Sequence, residues 1–105
     1  MKLLWTIHAR DDLLEIGRFI AGDNPAAARR WVDKLRERAR KAAQHPRTGR
    51  VVPEIGRDDV REVLLRTYRI VYRVLGTEIH VLTVFESHRL LRAEDAAVPP
   101  RTKAP

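Results

Sequence analysis

The chain has 105 residues, 44% of them hydrophobic, and a formal net charge of +7. That length supports one compact core rather than two. The absence of cysteine removes disulfides and thiolate metal sites, and His8, His45, His80 and His88 are scattered without zinc-ligand spacing, so no metal and no cofactor is expected. No apolar run approaches the length of a membrane span, and Arg10, Asp11 and Asp12 interrupt any signal-peptide core, so a cytoplasmic location is expected.

Leu3-Leu4-Trp5-Thr6-Ile7 is short and rich in strand formers, which predicts a first strand with Thr6 placed to cap the next element. Ala9, Leu13, Ile16 and Ile20 then recur at helical spacing, with Asp11, Asp12 and Glu15 in the early turns where the helix dipole favours anions. This predicts a helix over residues 7–22 that Gly22 ends. Asp23 or Asn24 offers a cap for a second helix, and Pro25 suits its first turn. Ala28, Trp31, Val32, Leu35, Ala39 and Ala42 form the apolar stripe of that helix, and Glu37 with Lys41 makes an i,i+4 pair. His45-Pro46-Arg47-Thr48-Gly49 stops it, since proline cannot continue a helix.

Strands dominate from there. Val51-Val52-Pro53-Glu54 reads as a short extended piece that Pro53 confines to an edge or strand end, and residues 56–59 form a polar loop. Residues 60–67, 68–75 and 78–86 come next as three strands with tight connections, which implies antiparallel pairing. The order is β-αα-ββββ, an α+β fold with an antiparallel-dominated sheet packed against a helical hairpin. Alternation places Ile70, Tyr72 and Val74 toward the helices and Arg69, Val71 and Arg73 on the other face. In the last strand Ile79, Val81, Thr83 and Phe85 alternate with His80, Leu82 and Val84; both faces are apolar, so an interior strand is expected, covered in part by Leu90 and Leu91. Residues 1–92 form the expected domain and 93–105, with Pro99, Pro100 and Pro105, a flexible tail.

The charge is local. Residues 24–50 hold nine Lys or Arg against Asp33 and Glu37, a net +7, while the rest of the chain is close to neutral. Such a field suits an acidic protein partner, nucleic acid, or both; the alternative is a solvated helix face rich in arginine. A second basic feature is the hairpin from Tyr68 to Arg89, which projects Arg69, Arg73 and Arg89 from β-structure near the surface, within reach of an anion.

Ala9 with Asp12-Leu13, Asp23-Asn24-Pro25-Ala26-Ala27-Ala28, Pro46-Arg47-Thr48-Gly49-Arg50, Val52-Pro53-Glu54, Arg61-Glu62 and Tyr68-Arg69-Ile70-Val71-Tyr72-Arg73-Val74 succeed one another in an order and spacing that resembles the RelE/ParE superfamily of toxins from bacterial type II toxin–antitoxin systems, over residues 3–92. The resemblance implies a RelE/ParE-like fold and a cognate antitoxin that wraps the toxin in a hetero-oligomer. It also implies one of two activities. RelE-like members are ribosome-dependent mRNA endonucleases, whereas ParE-like members poison DNA gyrase without catalysing a reaction themselves.

Attack by a ribose 2′-hydroxyl needs a base, cations for the phosphorane charge and an acid for the leaving oxygen. Arg69 and Arg89 stand where the resemblance puts the arginines of such a nuclease, and His88 is a candidate proton shuttle. Against that, Val60 and Glu62 occupy the strand where those nucleases carry lysines, and no tyrosine occurs after Arg92. Tyr68 and Tyr72 read as packing residues, and Arg69 has a second reading as a strand arginine paired with Glu62. Arg61-Glu62, Val52-Pro53-Glu54 and Asp23-Asn24-Pro25 look more like the ParE branch, which makes gyrase inhibition the leading expectation and RNA cleavage the alternative. The residues assigned to target or phosphate contact are Arg61, Arg69, Arg73 and Arg89. Those assigned to an acidic amphipathic antitoxin segment are Trp31, Arg36, Arg40 and Arg47.

Overall fold

A computed structural model describes residues 1–87. It contains β1 (Lys2–Trp5), α1 (Ile7–Ala21), α2 (Pro25–Gln44), β2 (Arg50–Val51), β3 (Val60–Leu65), β4 (Tyr68–Leu75) and β5 (Glu78–Glu86). The five strands form one sheet in the order β1-β5-β4-β3-β2. β1 runs parallel to β5 and the other neighbours are antiparallel. The helical hairpin carries the chain from one edge of the sheet to the other, which is why the single parallel pair involves the N-terminal strand.

Local chemistry explains the helix boundaries. The Thr6 side chain accepts from Ala9 N–H at 3.1 Å while its hydroxyl donates to the Val81 carbonyl at 2.8 Å, so one residue caps α1 and ties it to β5. Asn24 accepts from Ala27 N–H at 3.0 Å, with Pro25 in the first turn of α2. Gly22 stays in right-handed helical geometry (φ −56°), so α1 ends because the Asn24 cap begins a new helix and not through a left-handed glycine. Glu37 pairs with Arg40 at 2.8 Å rather than with Lys41. α1 and α2 approach closely at Gly17, where an added Cβ would sit 3.3 Å from a Val32 methyl.

The main core lies between the helices and one sheet face. Leu35, Ala39, Ile70, Tyr72, Ile79 and Val81 are fully buried there, and each large side chain of this kind contributes roughly 1.5–3 kcal/mol of transfer free energy. Ile70, Tyr72 and Val74 face the helices as their alternation predicts. β5 lies between β1 and β4, an interior strand. Its simple alternation fails, however. Val71 pairs with Thr83 but Tyr72 pairs with Val81, leaving Leu82 as a bulge. Beyond it the parity flips: Val84 joins Ile79 and Val81 in the main core, and Phe85 turns to the opposite face with Val52, Val60, Val71 and Leu82. Val52 and Ile55, from the segment after β2, cover that second cluster. Leu90, Leu91 and the tail 93–105 lie outside the described residues.

Beyond the end of β1, the open edge of β5 is capped by a side chain. Asp12 of α1 accepts from Val84 N–H at 3.1 Å and from the Thr83 hydroxyl at 2.5 Å, satisfying a strand edge that would otherwise be bare. No helix among the described residues is long and apolar enough to cross a membrane.

Candidate functional site

The arginines fall into two populations, and the sheet holds the neutralised one. Arg69 is 5% exposed. Its Nε donates to Glu62 at 2.6 Å and its two terminal nitrogens to Glu54 at 2.7 and 2.8 Å, with the guanidinium 5.0 Å over the Phe85 ring. Hydrogen bonds donated to Glu54, then to Glu62, outweigh burial and push its pKa above the usual arginine value. Glu62 is 1% exposed and also accepts from Arg50. Arg73 donates to Asp59 at 3.0 Å, and Arg57 binds the same carboxylate at 2.8 and 3.1 Å. Arg61 donates to Asp58 at 2.8 Å and to the Gly49 carbonyl at 2.9 Å. Asp58 is also reached by Arg47, and these two partners, Arg47 first, hold its carboxyl below the usual range.

The expectation that Arg69 and Arg73 stand near the surface for an anion is therefore corrected. The segment from Val52 to Asp59 folds over the sheet face that carries them and brings Glu54 and Asp59 onto both guanidinium groups. Of the two readings of Arg69, the pairing with Glu62 is the one the structure displays. Tyr68 and Tyr72 are buried, and burial raises the pKa of both phenols, with Glu86 adding to the effect at Tyr68. Tyr72 donates to the Pro46 carbonyl at 2.6 Å. His88 and Arg89 lie outside the described residues.

The second population lies on the helices. Along their outward crease runs a groove of about 860 Å³ with a floor of Trp5, Leu13, Leu14, Gly17, Ala28 and Val32. Leu14 is 56% exposed within it. Five arginines line it, Arg10 and Arg18 from α1 and Arg29, Arg36 and Arg40 from α2, against a single carboxylate, Asp33. Among the described residues only Arg40 of the five has an ion pair, with Glu37. An apolar trough bordered by cations has the chemistry that suits an amphipathic anionic segment, an apolar floor for the segment's apolar stripe and arginines for its carboxylates.

Arg36 and Arg40, assigned to the antitoxin segment from sequence, meet in this groove. Trp31 and Arg47 do not. Trp31 packs half-buried against the core, its ring 5.9 Å from Tyr68 and covered by Lys34 Nζ at 5.3 Å. Arg47 sits beyond the end of α2, bound to Asp58 at 3.2 Å. Sequence reasoning does not single out Arg10, Arg18 and Arg29. The signal for Arg10 and Arg18 is a second stripe on α1, Arg10-Leu14-Gly17-Arg18-Ala21 at three-four spacing, adjacent to the buried one.

Residues 3–91 match the family model described as the ParE toxin of the type II toxin–antitoxin system parDE. The chain belongs to the ParE toxin family. It is similar to a Sinorhizobium fredii (strain NBRC 101917 / NGR234) protein named "Putative toxin Y4kP", 34% identical over 91 residues that cover 84% of this chain and 90% of that one. Among solved structures it is similar to one titled "Chromosomal ParDE TA system from P. aeruginosa", with a TM-score of 0.69 and 27% identity over 82% of this chain and 95% of that one. The α+β architecture of this ParE-family chain, two helices on a mostly antiparallel five-stranded sheet, is that of the solved relative, and the chain is the toxin of a type II toxin–antitoxin pair.

Proposed function

We propose that this toxin is neutralised by an acidic amphipathic segment of its cognate antitoxin seated in the groove between α1 and α2, and that the free toxin acts in the cytoplasm by inhibiting DNA gyrase. The observation that carries the first part is the pairing of an apolar floor with five arginines, of which only Arg40 has a carboxylate partner among the described residues. Ordering of a flexible antitoxin tail in the groove costs conformational entropy, offset by the apolar area it covers and by steering from the arginines.

Two things support gyrase over RNA as the target. One is membership of the ParE family. The other is the state of Arg69, whose nitrogens are already engaged by Glu54 and Glu62, so that a phosphorane would have to displace two carboxylates to use it.

The test is supercoiling by purified gyrase with the purified toxin present. Loss of supercoiling with accumulation of cleaved DNA, reversed by a synthetic antitoxin tail, is the expected result. Charge reversal at Arg29→Glu with Arg36→Glu should weaken that tail at least tenfold. Unimpaired gyrase together with codon-phased mRNA cutting in a purified ribosome assay would overturn the gyrase reading in favour of the RelE-type endonuclease. A tail that binds the double variant as tightly as the wild type would overturn the groove assignment.

A further inference from the structure

The groove uses only part of the charge on α2. At 100° per residue, Arg29, Arg36 and Arg40 share the side that faces α1, whereas Arg30, Lys34, Arg38 and Lys41 form a separate stripe roughly 135° further around the helix. Arg30, Lys34 and Lys41 are exposed, and Arg38 is half-buried with its Nε 3.4 Å from the Leu64 carbonyl. None of the four has an ion pair among the described residues; Glu37, at the border between the two faces, is engaged by Arg40. An acidic segment lying in the groove leaves this stripe uncovered.

We propose that the outer stripe of α2 is a binding surface for the phosphate backbone of duplex DNA, independent of the antitoxin groove. A second acidic protein is the poorer fit, because protein interfaces rest on large apolar or aromatic anchors and no exposed large hydrophobic side chain of the described residues lies on α2. Single-stranded nucleic acid is the poorer fit for a related reason. Its readers stack bases on accessible aromatic rings, and the aromatic ring of α2, Trp31, is packed between Tyr68 and Lys34. The surface that remains is a row of cations with no exposed large apolar side chain among them. Arg30 to Lys41 spans about 16 Å along the helix, parallel to a ligand that carries one charge per ~1.7 Å of its axis. Without groups that read base edges, the surface distinguishes no sequence.

The test is fluorescence anisotropy of a labelled random-sequence 30-base-pair DNA duplex with the full-length chain between 50 and 200 mM salt. Four phosphate contacts predict a slope of log K against log salt of about −3.6, at about −0.9 per contact. Arg30→Gln with Lys34→Gln and Lys41→Gln should reduce the slope to about −0.9 and weaken binding at least tenfold at 50 mM salt. The matched control Arg10→Gln with Arg29→Gln and Arg36→Gln removes the same charge from the groove and should leave the slope within one unit of wild type, circular dichroism confirming that both variants are folded. Equal loss in the two triple variants overturns the proposal, because the effect would then be net charge alone. So does an absence of DNA binding by wild type at 50 mM salt, or tighter binding of an RNA duplex of the same sequence, or displacement of the DNA by polyglutamate at equal charge.

Discussion

Replacing Arg69 by methionine keeps an unbranched apolar stem and removes the guanidinium and its charge, and the surroundings let the consequence be worked out. Glu62 is 1% exposed and would retain only Arg50, whose side chain is 58% exposed and held in place by little else. Breaking a buried pair from one side costs about 3–5 kcal/mol because the remaining charge stays desolvated. The residual Arg50 contact and the partial exposure of Glu54 (18% of its side chain) place this site at the lower end, near 3 kcal/mol. With a urea m-value of about 1.2 kcal/mol per M, suited to a chain of this size, the midpoint should fall by roughly 2.5 M. Arg73→Met is the comparison: Arg73 is less buried and shares Asp59 with Arg57, so about 1 kcal/mol is expected. Adding Glu62→Leu to Arg69→Met should recover part of the loss, since the fully buried carboxylate of Glu62 is then gone and only the partly exposed Glu54 has lost Arg69. Urea unfolding monitored by circular dichroism measures all three. A midpoint shift below 0.5 M for Arg69→Met, or one equal to that of Arg73→Met, would refute the assignment of Arg69 to a structural network. The consequence for activity is direct: lost toxicity in an Arg69 variant would report lost folding and would be no evidence of RNA cleavage.

Gly49→Ala should destabilise by about 2 kcal/mol or more, because its Cβ would collide with the Tyr72 hydroxyl and lie 2.9 Å from the Glu62 carbonyl. Tyr72→Phe alone should cost about 1–2 kcal/mol by leaving the Pro46 carbonyl without its donor; combined with Gly49→Ala it should cost less than the sum, since the hydroxyl is part of the clash, and thermal melts of the three variants would show additive losses if the packing were otherwise. At alkaline pH the fold should weaken. The pKa values of Tyr68 and Tyr72 are raised above the ordinary phenol value of 10.0, so the unfolded chain releases these protons first: stability is complete below pH 10 and declines as pH rises from there. A urea midpoint that rises between about pH 9.5 and 11 would contradict the sign, and Tyr72→Phe should flatten the decline.

Most of the architecture was legible because its signals are local. Asn24-Pro25 marks the start of α2 through cap chemistry that involves only neighbouring residues, and Ile70 and Tyr72 are assigned to the core by alternation within one strand. The bulge at Leu82 was not legible, since Val81, Leu82, Val84 and Phe85 are apolar on both sides of the shift and either parity buries hydrophobic side chains. Alternation also placed Arg69 on the correct face without revealing what covers that face. The cover is a segment fifteen residues upstream in sequence, carrying Glu54, and no periodicity encodes that contact. The groove was half legible for the same reason: the basic run of α2 is visible in sequence, whereas the contribution of Arg10 and Arg18 depends on how α1 and α2 lie against each other at Gly17 and Val32.

The unequal neutralisation of the two layers has a thermodynamic consequence with opposite signs for the two states of the toxin. In the sheet, the partners of Arg69 and Arg73 are on the same chain and largely buried, so salt screens them weakly. On the helices, Arg10, Arg18, Arg29, Arg30 and Arg36 have no carboxylate partner among the described residues, and in a chain of net charge +7 they repel one another. Raising sodium chloride from 50 to 500 mM should therefore stabilise the free toxin, by roughly 1 kcal/mol if a few such repulsions of a few tenths each are screened. The same change should weaken antitoxin and DNA binding, whose attraction comes from those arginines and lysines. Bound antitoxin at 100 times its dissociation constant adds about 2.7 kcal/mol to stability, so at low salt the complex should melt well above the free chain and the gap should narrow as salt rises. Parallel thermal melts of the toxin and of its complex across that range measure both slopes. A free toxin that loses stability with added salt would mean that ion pairs, and not unrelieved repulsion, dominate its surface.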